Sequence, residues 1–398
     1  MRRRTGPVRT RPSVGIFTYS TVPRGSVVHA AALADALHDA GWDATLYALH
    51  KDGRGFFRST RARLCLVPAA PAPPSMAALV YQRSDELATF LFENRPDHDL
   101  HHAQDCLSAS GLFTARDRGY QTSRPIVRTV HHLEAFADPY LARCQERSIR
   151  QADACFAVSE TARRDVAAVL NVHCRLVGNG VDVDRVRRVD EGRLQAWRGR
   201  LAMRGPLVLA VGGVEARKNT VRTLGAFARL RAFHPDAQLW IVGGASALDH
   251  RNYQATYARA KAALDPATQA AVAELGVVTE EDLASLYRLA DVVALPSVQE
   301  GFGLVALEAL AAGRPLCASN RPPFTEFLDD GCATLVDPFS EEAIARGLER
   351  ALEAPPERLA AGRRRAETFA WPRVAAAHLE GYERIVGHAG NALHRSLA

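Results

Sequence analysis

No run of eighteen apolar residues occurs anywhere in the 398-residue chain, so a membrane-spanning helix is excluded. The best candidate for the apolar core of a secretory leader, Val14 to Tyr19, is too short and reads as a strand. Paired cysteines are missing too. The seven (Cys65, Cys106, Cys144, Cys155, Cys174, Cys317, Cys332) are scattered with no CxxC, which argues against a disulfide framework or structural zinc and for a reducing cytoplasm. Aromatics make up only 7%, and they are not interleaved with basic residues as nucleic-acid grooves require, so no nucleic-acid partner is expected. Gly212-Gly213 and Gly243-Gly244 are isolated pairs rather than a GxGxxG fingerprint, which leaves a nicotinamide dehydrogenase unsupported.

What is present is an ordinary globular composition, 47% hydrophobic and 24% charged. The chain is too long for one core, and two domains of comparable size are expected. A net charge of +6 attracts anions; nucleic acid, anionic lipid and phosphorylated small molecules all fit it. Part of that charge lies in Arg2, Arg3, Arg4, Arg9 and Arg11. That start reads as a disordered tail, or as a loose grip on anionic lipid that would bring the protein to the inner membrane face.

Short apolar runs alternate with amphipathic helical stretches, the pattern of parallel α/β layers. Val14–Tyr19, Asp43–Ala48, Leu64–Val67, Asp99–His102, Ile126–His131 and Ala154–Val158 read as strands. A helix is expected from about Ser26 to Ala40, ended by Gly41. After a charged, arginine-rich stretch at Asp182–Arg204, a second series begins with Leu207–Val211, Gln238–Val242, Val292–Leu295 and Pro315–Ser319. The expected fold class is α/β, with two doubly wound domains facing across a cleft, residues 1–190 and 200–370. Ligands of such sheets bind at the carboxyl ends of the strands.

The densest chemical signal runs from Asp291 to Pro315. A strand enters a loop holding Glu300-Gly301-Phe302-Gly303, and a helix bearing Glu308 follows, ended by Gly313. Glycines let backbone N–H groups approach a ligand, and with the helix N-terminus they form a phosphate seat. Glu308 lies more than one turn into the helix, on the same side as Leu304. A carboxylate there would repel phosphate and is better suited to accept hydrogen bonds from a neighbouring diol.

This run resembles the EX7E element of the retaining glycosyltransferases of GT-B fold, specifically glycosyltransferase family 4 (glycosyl transferases group 1). Two glutamates eight residues apart carry little alone; within Pro-Ser-xx-Glu-Gly-Phe-Gly-Leu-xxx-Glu-Ala the pattern is specific. The resemblance implies two Rossmann-like domains, with residues 371–398 returning to the first. It assigns Glu308 to the ribose and Glu300 to the transferred sugar. The amides around Phe302, Gly303 and Leu304 would hold sugar and diphosphate.

Val211-Gly-Gly-Val-Glu-Ala-Arg217-Lys218-Asn219 resembles the family's diphosphate-gripping loop, with Lys218 as the cation. Many members carry arginine where this chain has Gly213, and Arg217 is the substitute expected here. Thr21-Val-Pro-Arg-Gly25-Ser26 resembles the glycine loop under the acceptor, and Gly25 and Ser26 carry over. His131, in Arg128-Thr-Val-His-His, resembles the strand-end histidine near the donor sugar. Val158-Ser159-Glu160 and Val177 to Asp182 match further landmarks, the latter leading into the interdomain linker.

The implied activity is transfer of a sugar, with retention, from a UDP- or GDP-sugar to a hydroxyl-bearing lipid, glycan or small molecule. Glu300, Lys218 and His131 would serve catalysis, without metal or other cofactor. Other classes stay open: a nucleotide-sugar epimerase or phosphorylase on the same plan, or a non-catalytic nucleotide-sugar-binding partner. Asp182-Val-Asp184 and the histidine–aspartate run Asp97–His102 have metal-like residue types but are read as a linker entry and a strand entry.

Overall fold

The computed structural model describes residues 11–51, 53, 55–120, 124–200, 205–244 and 251–396. Residues 1–10, which hold most of the arginine-rich start, lie outside them. Contacts divide the chain into two units, Met1–Asn179 with Trp371–Ala398, and Gly180–Ala370.

The first unit is built on β1 (Ser13–Thr18), β2 (Asp43–His50), β3 (Arg63–Pro68), β4 (Leu100–Ala103), β5 (Ile126–Val130), β6 (Ala154–Ala157) and β7 (Cys174–Leu176). They form one sheet in the order β3-β2-β1-β4-β5-β6-β7, every recorded pair parallel. Such a sheet must be covered on both faces, which is why β1, β4 and β5 are buried throughout. Helices α1 (Gly25–Asp39), α2 (Met76–Asn94), α3 (Cys106–Asp117), α4 (Pro139–Arg150) and α5 (Glu160–Leu170) supply most of the cover. Their starts are chemically marked. Asp105 caps α3 by accepting from the Ser108 amide, Asp138 caps α4 ahead of Pro139, and Ser159 caps α5. Gly41, at φ 90°, follows the end of α1 in the left-handed region. The chain runs outward from β1 to β3, then returns to β4 beside β1, so the switch point lies between β1 and β4.

The second unit holds β8 (Leu207–Val211), β9 (Gln238–Val242), β10 (Val272–Gly276), β11 (Val292–Leu295), β12 (Leu316–Ser319) and β13 (Thr334–Val336), ordered β10-β9-β8-β11-β12-β13 and again parallel. Its switch point lies between β8 and β11. The helices are α6 (Val183–Arg187), α7 (Glu191–Arg200), α8 (Thr220–Arg231), α9 (Arg251–Ala262), α10 (Pro266–Ala270), α11 (Glu280–Leu289), α12 (Leu304–Ala311), α13 (Glu341–Leu352) and α14 (Pro356–Glu367). One face is covered by α8, α9 and α13; α11 and α12 lie on the other with α6, α7 and α14 packed on them. The final helix α15 (Trp371–Ser396) belongs to the first unit and packs on α1, burying Trp371, Val374 and Tyr382 beside Leu33, Leu37 and Trp42. A Cβ on Gly381 would stand 2.5 Å from the Phe156 ring, so glycine sets how closely α15 approaches β6.

The structure adds to the sequence reading in two places. The charged stretch read as a linker forms α6 and α7. Asp182 caps α6, while Leu194 and Trp197, one turn apart, bury against the unit with the indole N–H donating to Asp282 at 3.1 Å. Strands β7, β10 and β13 were not anticipated. All three are sheet edges of three to five residues, whose half-covered sequence lacks the continuous apolar run of a central strand.

Candidate functional site

At the switch point of the second unit, the loop after β8 carries Arg217 and Lys218 and the loop after β11 carries Glu300. Backbone geometry locks the first loop in place. The amides of Gly212 and Gly213 both donate to the Val242 carbonyl, at 2.7 and 2.9 Å. Gly213 has φ 75°, and a Cβ there would lie 2.8 Å from the Gly244 carbonyl oxygen. No side chain fits, which accounts for the absence of an arginine at this position. Asn219, itself left-handed at φ 62°, donates from its side-chain amide to the carbonyls of Pro296 (2.9 Å) and Pro338 (2.6 Å). The Val298 amide donates to the Arg217 carbonyl at 2.9 Å. The two loops are thus one hydrogen-bonded body.

Within that body the predicted charges meet. Lys218 Nζ lies 2.5 Å from Glu300 Oε1, Arg217 donates to Glu300 Oε2 at 3.1 Å, and the Ser297 hydroxyl donates to Oε1 at 3.0 Å. Arg217 also pairs with Glu215 at 2.9 Å. The Glu300 and Lys218 side chains are only 6% and 10% exposed, whereas Arg217 is 42% exposed. Burial would raise the Glu300 carboxyl, but Lys218 and Arg217, with hydrogen bonds from Lys218 and Ser297, outweigh it and hold the group below its usual range. Lys218, expected to point at a diphosphate, is therefore paired with Glu300. Its ammonium has three donors, and the recorded Glu300 bond accounts for one of them.

Phe302 and Gly303 lead into α12. Phe302 is buried and stacks on Phe327 with ring centroids 4.9 Å apart, so its side chain serves as an anchor. Gly303 has φ 97°, and any Cβ would collide with the Phe324 ring. As N-cap it offers no side-chain bond to the first turn of α12, and Leu304, the first helical residue, is half-buried. A helix start uncapped by its own side chains is suited to an anion.

Glu308 lies one turn further on, 9% exposed. Tyr287 donates its hydroxyl to Oε2 at 2.7 Å, and Arg185 donates to Oε1 at 3.2 Å while reaching Glu280 at 3.6 Å. Burial, then the Glu308 charge, pushes the Tyr287 phenol well above its ordinary value, so it stays a donor. Sequence reasoning missed Arg185 and Tyr287. Neither stands in a motif: Arg185 is one of many arginines in its stretch, and Tyr287 reads as helix core.

In the first unit, Gly25 and Ser26 open α1 at the β1/β4 switch point. Gly25 is exposed, and a Cβ there would meet nothing within 4 Å. His131 follows β5, its Nε2 3.2 Å from Gln104 Oε1 and its ring edge-on to His29 at 5.0 Å. It belongs to a cluster of four histidines. His102 bonds Tyr382 and Thr129 through its two ring nitrogens, each at 2.6 Å, His29 meets Asn179 at 2.9 Å, and His378 meets the Val374 carbonyl at 2.8 Å. Burial, reinforced by His29 and Arg128, holds His131 well below the usual histidine range. A neutral imidazole offers one donor and one acceptor and no charge.

Other signals are accounted for locally. Asp182 is a helix cap. His98 and His101 bond the hydroxyls of Tyr47 and Tyr120. Among the described residues no cluster of three or more His, Cys, Asp or Glu is placed to hold a metal ion, and no helix is long and apolar enough to cross a membrane. A cavity of about 590 Å³ lies on the α9 side of the second unit, edged by Val214, Gly243, Tyr257, Lys261 and Glu274. None of the predicted site residues lines it.

Residues 194–368 match the family Glycosyl transferases group 1, and residues 23–185 match Glycosyltransferase Family 4. The chain is 31% identical to an MMP alpha-(1->4)-mannosyltransferase of Mycolicibacterium hassiacum, across 75% of this chain and 74% of that one. It is 32% identical to a D-inositol 3-phosphate glycosyltransferase of Salinispora arenicola, across 74% and 70%. Among solved structures, a sucrose-phosphate synthase from Thermosynechococcus elongatus has a TM-score of 0.76 at 21% identity, over 95% of this chain and 100% of that one, a likeness of fold.

Proposed function

The chain belongs to glycosyltransferase family 4, of the glycosyl transferases group 1, and from that premise we propose that the β8/β11 switch point of its second unit receives the diphosphate of a sugar donor. The protein is an enzyme that transfers a sugar from a nucleoside diphosphate sugar to a hydroxyl-bearing acceptor. The observation that carries the site assignment is the buried Lys218–Glu300 pair, held by two interlocked loops beside the uncapped start of α12.

In the reading proposed, the first turn of α12 and the ammonium of Lys218 face the diphosphate, and Arg217 supplies the second cation that Gly213 excludes. As the bond to the anomeric carbon lengthens, positive charge develops on the sugar and negative charge on the leaving diphosphate. Lys218, Arg217 and the helix dipole stabilise the latter. Glu300, kept anionic by the same two cations, stands ready for the sugar hydroxyls. Glu308 accepts from the ribose diol, using the lone pairs that Tyr287 and Arg185 leave open. His131 acts as a neutral hydrogen-bonding partner of the transferred sugar, with Gly25 and Ser26 on the acceptor side.

The donor is taken to be a UDP- or GDP-sugar. For the acceptor, a small phosphorylated polyol is favoured by the relative named for D-inositol 3-phosphate. The net charge of +6 supports peripheral contact with an anionic membrane. The test of the donor site is a thermal-shift panel of UDP-, GDP- and ADP-sugars on wild type and Lys218→Met. A donor at a hundred times its dissociation constant stabilises by about 2.7 kcal/mol. A stabilisation by one donor class, lost in Lys218→Met, supports the assignment; equal shifts in both proteins refute it.

A further inference from the structure

Away from the sites above, two cysteines stand opposite each other on neighbouring strands of the first unit. Arg128 on β5, Cys155 on β6 and Cys174 on β7 are register partners across three neighbouring parallel strands. Opposed residues of that kind share one face of the sheet. Here the face is covered by Ala162, Val166 and Leu170 of α5. Both cysteines are buried and free. The Cys155 S–H donates to the Ile149 carbonyl at 3.2 Å.

Arg128 completes the row. Its guanidinium is buried, makes no ion pair among the described residues, and leaves Nε without a hydrogen-bond partner. A buried cation in that condition favours an anion nearby. The groups whose charge it senses are Cys106, Asp105, Cys155 and Cys174. Asp105 is already committed to the Ser108 and Tyr19 amides, and burial pushes the Cys106 thiol up to about 11. Cys174 differs. The neighbouring Cys155 thiol draws it below the ordinary thiol value against burial, with Arg128 and Arg163 adding to the effect. It also lies on the edge strand.

We propose that Cys174 and Cys155 form a redox-active dithiol that hydroperoxides convert to a reversible disulfide. The Cys174 thiolate attacks the terminal peroxide oxygen, and the O–O bond breaks. The departing oxygen takes up the proton that Cys174 released, leaving a sulfenic acid. The Cys155 sulfur then attacks the Cys174 sulfur; the S–O bond breaks, and hydroxide leaves with the Cys155 proton as water. Two thiols lose two electrons and the peroxide gains them. Opposed Cα atoms on neighbouring strands lie about 4.8 Å apart, within the disulfide range but short of its mode.

The test titrates the folded full chain with hydrogen peroxide and follows intact mass and peptide maps. Wild type should lose two hydrogens, yield cross-linked peptides containing Cys155 and Cys174, and recover with dithiothreitol. Cys155→Ser should stop at a Cys174 sulfenic acid that dimedone traps, and Cys174→Ser should leave Cys155 unmodified. Arg128→Met should slow Cys174 oxidation about tenfold, the change that one unit of thiol pKa makes in thiolate population. If that variant does not fold, the two serine variants decide. Oxidation confined to the half-buried Cys65, Cys106 and Cys144 overturns the proposal, as does a disulfide that forms only once the chain unfolds.

Discussion

Tyr287 donates its hydroxyl to Oε2 of Glu308 across 2.7 Å, joining the last turn of α11 to the middle of α12. Arg185 holds the other carboxylate oxygen. The glutamate proposed for the donor ribose is thus held on both oxygens within the protein itself. Such pre-organisation lowers the ordering cost of binding.

Replacing Glu308 by Gln should leave the fold standing. The new amide can turn its oxygen to Arg185 and its NH2 to the Tyr287 oxygen, keeping both contacts, the second with donor and acceptor exchanged. What it loses is acceptor capacity and charge toward a diol, about 1.5–3 kcal/mol for hydrogen bonds to a charged group. Donor KM should rise tenfold to a hundredfold with the melting temperature near wild type. Wild-type kinetics in that variant would remove Glu308 from the ribose.

Tyr287→Phe asks the converse question, since it spares the carboxylate and deletes its donor. A buried oxygen left short of a partner costs about 1–3 kcal/mol, so a lower urea midpoint and a smaller rise in donor KM are expected together. A stability loss with donor KM unmoved would confine Tyr287 to a structural role.

Lys218 and Arg217 both bond Glu300, yet their removal should differ. Lys218→Met strips a buried carboxylate of its closest cation, and breaking such a pair costs about 3–5 kcal/mol. Arg217 is 42% exposed, so solvent screens its contribution to stability and Arg217→Ala should destabilise little. Both should weaken turnover if both face the diphosphate. Chemical denaturation of the two variants separates the effects, and equal losses of stability would contradict the burial argument.

The glycines make opposite forecasts. Gly303→Ala places a Cβ at φ 97° and against the Phe324 ring, and strain and overpacking should each cost about 1–3 kcal/mol. Gly25→Ala meets no atom within 4 Å and should fold as well as wild type, so any loss of activity there reports on ligand approach. Paired melting curves and acceptor kinetics distinguish the two cases.

How much of this was legible beforehand depends on where the information resides. A central strand such as Val292–Leu295 is buried on both faces, so the sequence writes it as an unbroken apolar run. The edge strands β7, β10 and β13 carry no such signature. The loop with Glu300 and Gly303 and the helix bearing Glu308 form one local segment, legible from its whole residue pattern. That Lys218 would lie against Glu300, and that Arg185 and Tyr287 would hold Glu308, could not, because these contacts join segments far apart in the chain. Gly213 could be noticed as a departure, but its reason lies in the neighbouring strand end at Gly243-Gly244.

The histidine cluster sets a pH limit on the first unit. Burial lowers His29 to about 4, against a raising bond from Asn179, and lowers His378 to about 3, with His29 adding to the effect. The unfolded chain binds these protons near pH 6.5 and the folded chain only well below it. Stability is therefore complete above about pH 6.5 and lost as pH falls through the interval down to the folded values. For His29 the loss by pH 4 is on the order of 3 kcal/mol, enough with His378 to unfold a domain of ordinary stability. Urea midpoints taken from pH 8 to pH 4 should fall steeply below pH 6. In His29→Gln, which keeps a polar partner for Asn179 but cannot titrate, the slope should lessen by nearly one proton. A variant whose acid sensitivity matches wild type would show that the cluster does not govern it.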